Sequence, residues 1–167
     1  MKLKVLAFGI LSAGVLLAGT FEDQLKNVTG VDVSAEQTNK AVVVALPQPF
    51  GVFTNATVFA NRQGRIHQIR CVSEYAPDVQ PEAILSELEA AVKELATKFN
   101  VGGIRVEKDE SCYWRRTIDF ADSEWCAYAY VAEAKNHGKP LGYFIADLTF
   151  LTKKCCKRCT NKPEKCK

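Results

Sequence analysis

The chain of 167 residues is 47% apolar and 25% charged, and its formal net charge is +3. This length suits one ordinary domain, and the composition is that of a soluble globular protein, which excludes a disordered or fibrous chain. The charge is uneven, because residues 152–167 hold seven Lys or Arg side chains against one Glu, whereas residues 20–151 are net acidic. A basic tail on an acidic body predicts either an anionic partner or a tail that folds back on the body.

Residues 1–20 have the layout of a secretory signal peptide. Lys2 and Lys4 precede an apolar run over residues 5–17, and small residues follow it. The run is shorter than the ~20 apolar residues that a transmembrane helix needs, so we expect cleavage near residues 18–20. A buried core helix or an uncleaved anchor is the alternative.

The expected cleavage region also resembles a bacterial lipobox, in which the next residue must be the cysteine that receives lipid. Here Thr20 follows Leu17-Ala18-Gly19, and a threonine cannot form the thioether. We therefore expect an exported protein, periplasmic or secreted, that is not lipid-anchored at Thr20 and keeps no membrane span after cleavage.

Residues 21–40 are polar and lack a sustained period, which predicts a linker or a frayed arm. A single α+β domain is predicted to follow over residues 41–151. Its first strand is expected over the β-branched residues 41–46, where Pro47 ends the pattern.

A β-hairpin is predicted next along the chain. The extended segments 50–60 and 65–75 are separated by a turn of Asn and Gly chemistry, with Gly64 at the left-handed position. Ile66 and Ile69 break strict alternation, so we expect a bulge or partly two-sided burial at the start of the second strand.

The clearest helix signal lies over residues 81–100. Pro81 suits the first turn, and Gly102-Gly103 prevents continuation beyond the end. The apolar residues that recur at three- and four-residue steps are Leu85, Leu88, Val92, Leu95 and Phe99. This stripe is expected to pack on the core of the domain.

Three further strands are predicted over residues 113–120, 125–134 and 141–152. The element order is then a strand, a hairpin, a helix and a three-strand meander. Such an order predicts an α+β fold in which one helix packs on one face of an antiparallel sheet of about five strands.

The turn at residues 121–124 sets the register of the first two meander strands. If Phe120 lies opposite Trp125, then Cys126 faces Asp119, and Cys112 is several residues out of register with Cys126. A disulfide needs Cα atoms ~5.5 Å apart, so these two cysteines are not expected to bridge. One of them could pair instead with Cys71 or with the tail.

Candidate catalytic groups are few. His67 and Cys71 share one predicted strand, but four residues of strand span ~13 Å, too far for a shared hydrogen bond without a bulge. Sequence motifs of common hydrolases are absent. Asp147 lies inside an apolar strand, so it is expected either at the sheet edge or in an ion pair with a residue such as Arg115 or Arg116. A structural ion pair is favoured over a general acid.

Seven cysteines are the candidates for disulfides: Cys71, Cys112, Cys126, Cys155, Cys156, Cys159 and Cys166. Export favours disulfides, and the odd number leaves at least one cysteine unpaired in a monomer. The alternative is a zinc site in the tail, formed by Cys155, Cys156, Cys159 and Cys166, although their spacing is not that of two well-separated pairs.

The function predicted from these observations is that of an exported, non-enzymatic binding domain with a disulfide-bonded basic tail. The tail residues expected to contact an anionic macromolecule or a cell-surface component are Lys153, Lys154, Lys157, Arg158, Lys162 and Lys165. Because the body is acidic, nucleic acid is not the favoured partner. The alternatives are a thiol-dependent enzyme that uses Cys71 and His67, and a zinc-binding tail.

Overall fold

The structure, a computed structural model, describes residues 19–107 and 112–155. Residue 155 is described by its backbone only. Most of the predicted signal peptide, and Cys156, Cys159 and Cys166 of the tail, therefore lie outside the described residues. The elements in chain order are α1 (Phe21–Thr29), β1 (Ala41–Phe50), β2 (Phe53–Ala60), β3 (Ile66–Glu74), α2 (Pro81–Lys98), β4 (Val101–Val106), β5 (Trp114–Phe120), β6 (Trp125–Asn136), β7 (Lys139–Thr152) and a 3-10 turn (Lys153–Cys155).

All the strands join one antiparallel sheet of seven strands in the order β1-β2-β3-β7-β6-β5-β4. The predicted fold of about five strands and one helix is therefore wrong, because the described part of the chain has seven strands and two α-helices. The sequence located segments for six of these strands, and the elements that it missed are β4, at one edge of the sheet, and α1. The strand β1 also continues through Pro47, where the predicted strand ended. Because β1 is an edge strand, half of its backbone amides need no partner, and a proline is tolerated there.

The helix α1 occupies part of the segment that was predicted to be a linker or frayed arm. Thr20 and Asp23 form a capping box, in which the Thr20 hydroxyl accepts from the Asp23 amide at 3.2 Å and the Asp23 carboxylate accepts from the Thr20 amide at 2.9 Å. Gly30 ends the helix with a φ of +73°. Since Leu25 is fully buried, α1 belongs to the domain rather than to an arm.

The predicted hairpin and its bulge are confirmed. The pairing of β2 with β3 shifts register between Phe59 and Ala60, opposite Gln68 and Ile66. Gly64 has a φ of +78°, and a Cβ there would lie 3.2 Å from the carbonyl oxygen of Gln37. A side chain at this position is therefore disfavoured both by the backbone conformation and by the close neighbour.

Both helices pack on one face of the sheet, called here the first face. The ring centroid of Phe120 lies 4.8 Å from that of Phe21, 5.2 Å from that of Phe99 and 6.1 Å from that of Phe150. These rings come from the start of α1, the end of α2 and the strands β5 and β7. The aromatic cluster therefore joins both helices to the centre of the sheet.

Candidate functional site

The opposite face of the sheet, called here the second face, carries a cluster of polar side chains. Strand alternation and register place these residues together: Arg70 in β3, Arg115 and Thr117 in β5, Tyr128 and Tyr130 in β6, and Asp147 and Thr149 in β7. Within the described residues, both helices lie on the other side of the sheet. The cluster is therefore built from the central strands themselves.

Asp147 lies at the centre of the cluster and is fully buried. Its carboxylate accepts from the Arg70 guanidinium at 2.5 Å, from the Tyr130 hydroxyl at 2.9 Å and from the Thr149 hydroxyl at 2.6 Å. Burial of Tyr130, and to a smaller extent the negative charge of Asp147, raise the pKa of the Tyr130 hydroxyl. The hydroxyl therefore stays protonated and acts as a donor. These contacts satisfy a charge that would otherwise be costly to bury.

The predicted partner of Asp147 is wrong, although the predicted ion pair exists. Strand β7 lies directly beside β3, which carries Arg70, whereas β6 separates it from β5, which carries Arg115 and Arg116. Arg116 also points to the first face, where its guanidinium lies 4.5 Å from the ring centroid of Trp114. The strand order therefore decides which arginine reaches the carboxylate.

Arg115 is nearly buried. Its guanidinium lies 5.2 Å from the ring centroid of Tyr128 and 5.6 Å from that of Tyr130. Its Nε atom lies 3.2 Å from the carboxylate of Glu107, which also accepts from the Thr117 hydroxyl at 2.5 Å. This arrangement extends the polar cluster from β7 to the end of β4.

The surroundings of Cys71 and His67, the pair named for the alternative thiol-dependent enzyme, disfavour an activated thiol. Cys71 lies in the core of the first face, 2% exposed and opposite Leu148. Burial raises the pKa of its thiol to about 12, so the thiolate is strongly disfavoured at neutral pH. The Nδ1 atom of His67 has no hydrogen-bond partner within the described structure, so that nitrogen does not bond the thiol.

We expect Cys71 of the native protein to react with iodoacetamide at pH 8 roughly 100-fold more slowly than the same cysteine in urea, because both burial and the raised pKa suppress the thiolate. Quenched alkylation followed by peptide mapping measures both rates. Equal rates would show that Cys71 is accessible and ionisable, and would restore the thiol-dependent alternative.

Cys126 lies at the end of the second face where the tail begins. It pairs with Asp119 in β5 and with Leu151 in β7, and the pairing with Asp119 confirms the predicted register. Cys126 is fully buried, and Leu151 is 7% exposed. Unlike Cys71, Cys126 is not a free, titrating thiol.

The base of the tail is held against the turn between β5 and β6. The Lys153 amide donates to the Glu124 carbonyl at 2.7 Å, and the Lys153 ammonium donates to the Ser123 carbonyl at 2.6 Å. Lys153 is therefore a partly buried structural contact, whereas Lys154 is exposed. The other predicted partner-binding residues, Lys157, Arg158, Lys162 and Lys165, lie outside the described residues.

Neither a metal site nor a membrane span is found in the described part of the chain. No group of three or more His, Cys, Asp or Glu side chains there could hold a metal ion. The four cysteines of the alternative zinc site lie beyond the region whose side chains are described. No helix within residues 19–107 and 112–155 is long and apolar enough to cross a membrane.

Comparisons of the chain with protein-family models, with curated proteins and with solved structures give no match.

The two features that bear on function are the polar second face and the anchored base of the tail. Sequence reasoning missed the contribution of Arg70, Tyr128 and Tyr130 to the first of these. Their signal was the alternation of polar side chains within otherwise apolar strands.

Proposed function

We propose that this chain is an exported, non-enzymatic interaction domain whose basic C-terminal tail contacts an anionic macromolecule or a cell-surface component. The observation that carries the proposal is the fixed base of the tail, where Lys153 bonds to the turn between β5 and β6. The held base fixes where the tail begins and leaves Lys154 exposed at that point. A positive charge that is already held in place costs less entropy to bring to a partner.

Charge supports the same proposal. Lys154 is exposed, and five further cations follow it in residues 157–167 with Glu164 as their one acidic neighbour. Cations clustered in sequence attract polyanions over a range that salt shortens. The thiol-dependent alternative has less support, because burial of Cys71 opposes the thiolate that such an enzyme needs.

Two probes test the proposal: heparin, a soluble polyanion, and vesicles of phosphatidylglycerol, an anionic surface. Replacing Lys154, Lys157 and Arg158 by glutamate is expected to weaken binding to at least one probe by about 100-fold or more, since each cation near an anionic surface contributes ~1 kcal/mol. Binding of the native chain should also fall steeply as salt rises. Binding to heparin alone would indicate that the partner is a soluble polyanion. Binding to the vesicles alone would indicate that the partner is a lipid surface.

A matched control replaces three exposed lysines of the body by glutamate, namely Lys93, Lys135 and Lys139. The control has the same change in net charge, so it should retain most of the binding if the position of the charges matters. Equal weakening by both variants, or no salt-sensitive binding of the native chain to either probe, would contradict the proposal.

A further inference from the structure

We propose that Cys126 forms a disulfide with one of the four tail cysteines, Cys155, Cys156, Cys159 or Cys166. The inference goes beyond the proposed function, because it concerns how the tail is held and not what the tail binds. It assigns the tail a covalent anchor on strand β6.

The position of Cys126 is the first support. Cys126 lies opposite Leu151, and Trp125 lies opposite Thr152, the last residue of β7. Paired residues in an antiparallel sheet have Cα atoms ~4.5–5.5 Å apart, so Cys126 lies beside the point where the tail leaves the sheet. Because a disulfide requires a Cα separation of ~5.5 Å, a cysteine that follows the end of β7 closely in the chain is well placed to bond Cys126.

The second support is that the other cysteines of the body are out of reach. Cys71 belongs to the core of the first face, whereas Cys126 lies on the second face. Cys112 precedes the partner of Cys126, Asp119, by seven residues, which corresponds to ~23 Å of strand. Since Cys126 is not a free thiol, the cysteines that remain for an intramolecular bond are those of the tail.

The bond forms by thiol–disulfide exchange with an oxidant of the disulfide class. The two cysteine thiols lose two protons and two electrons, one S–S bond forms in the protein, and the S–S bond of the oxidant breaks to give two thiols. An oxidising compartment supplies such an oxidant, and the predicted export would deliver the chain to one.

Peptide mapping of the full chain, produced by secretion and digested without reduction, tests the bond directly. Free thiols are first blocked with N-ethylmaleimide under denaturing conditions at mildly acidic pH, where a maleimide still alkylates thiols and disulfide exchange is slow. We expect a peptide containing Cys126 linked to a peptide from residues 155–167. Recovery of Cys126 in alkylated form, or linked to Cys71, Cys112 or a second copy of the chain, would overturn the inference.

Limited proteolysis tests whether the bond through Cys126 restrains the tail. Cys126→Ala should increase the rate of tryptic cleavage after Lys154, Lys157 and Arg158 by at least tenfold, whereas the control Cys112→Ala should leave that rate unchanged. Equal rates in the native chain and in Cys126→Ala would contradict a bond between Cys126 and the tail. Because neither assay uses heparin or vesicles, failure of the inference is distinguishable from failure of the proposed function.

Discussion

Leu25→Ala is expected to lower the free energy of unfolding by about 3 kcal/mol. Leu25 is fully buried in α1 and packs in the main core, although its segment was predicted to be a linker or a frayed arm. Truncation of a buried leucine removes apolar contacts and leaves a cavity, which costs ~2–5 kcal/mol. Urea unfolding of the native chain and the variant, followed by fluorescence, measures the difference.

Asn27→Ala is the matched control, since Asn27 is exposed on the same helix. An exposed substitution of this kind changes stability by roughly 0.5 kcal/mol or less. If Leu25→Ala and Asn27→Ala were equally stable, α1 would contribute nothing to the fold, and residues 21–29 would behave as the arm that their polar composition predicts. A large difference would make α1 part of the folding unit.

The reason that α1 escaped prediction is physical. Its apolar residues, Phe21, Leu25 and Val28, recur at four- and three-residue steps, but the helix has only nine residues. Such a short helix is marginal alone and owes its stability to packing. Packing of this kind depends on aromatic rings far along the chain, among them Phe99 and Phe120, which local patterning cannot place.

Prediction of the sheet succeeded where contacts are local and failed where they are not. The register of β5 and β6 followed from the turn at residues 121–124, because a short hairpin loop fixes the pairing. The edge strand β4 was missed, since Gly102-Gly103 reads as the end of a helix and disfavours a strand. In the structure, β4 gains its stability from pairing with β5.

The polar cluster shows the same limit at the candidate site. The sequence predicted a buried ion pair for Asp147 but not its partner, since Arg70 reaches it only through the pairing of β3 with β7. These residues are 77 positions apart in the chain. A single sequence carries no signal for that pairing, because several antiparallel strand orders would satisfy the same hydrophobic pattern.

Tyr128 connects the two features of the second face. Its ring stacks 6.0 Å from that of Tyr130, which bonds Asp147, and it also packs against Cys126 and Leu151. We expect the cluster to favour one strand register, since a shift of one residue would bury its charges against the apolar first face.

Arg70→Met is expected to lower the free energy of unfolding by about 3 kcal/mol. The substitution leaves the Asp147 carboxylate fully buried with the hydroxyls of Tyr130 and Thr149 but without its cation. Removing one partner of a buried ion pair costs ~3–5 kcal/mol, and the lower end applies because the Arg70 side chain is 37% exposed. Arg105→Met is the control, since Arg105 is 52% exposed and lies 3.5 Å from Asp119, and exposed pairs contribute ~0–1 kcal/mol.

A double-mutant cycle separates the ion pair from general disruption of the cluster. Asp147→Asn keeps the shape of the side chain while removing its charge, so the Arg70→Met, Asp147→Asn double variant no longer buries an unpaired carboxylate. In urea unfolding, the double variant should therefore lose less stability than the sum of the losses of the two single variants, by more than ~1 kcal/mol. Additive losses would mean that Arg70 acts on stability independently of Asp147, and that the second face is held together by its tyrosine and threonine hydroxyls instead.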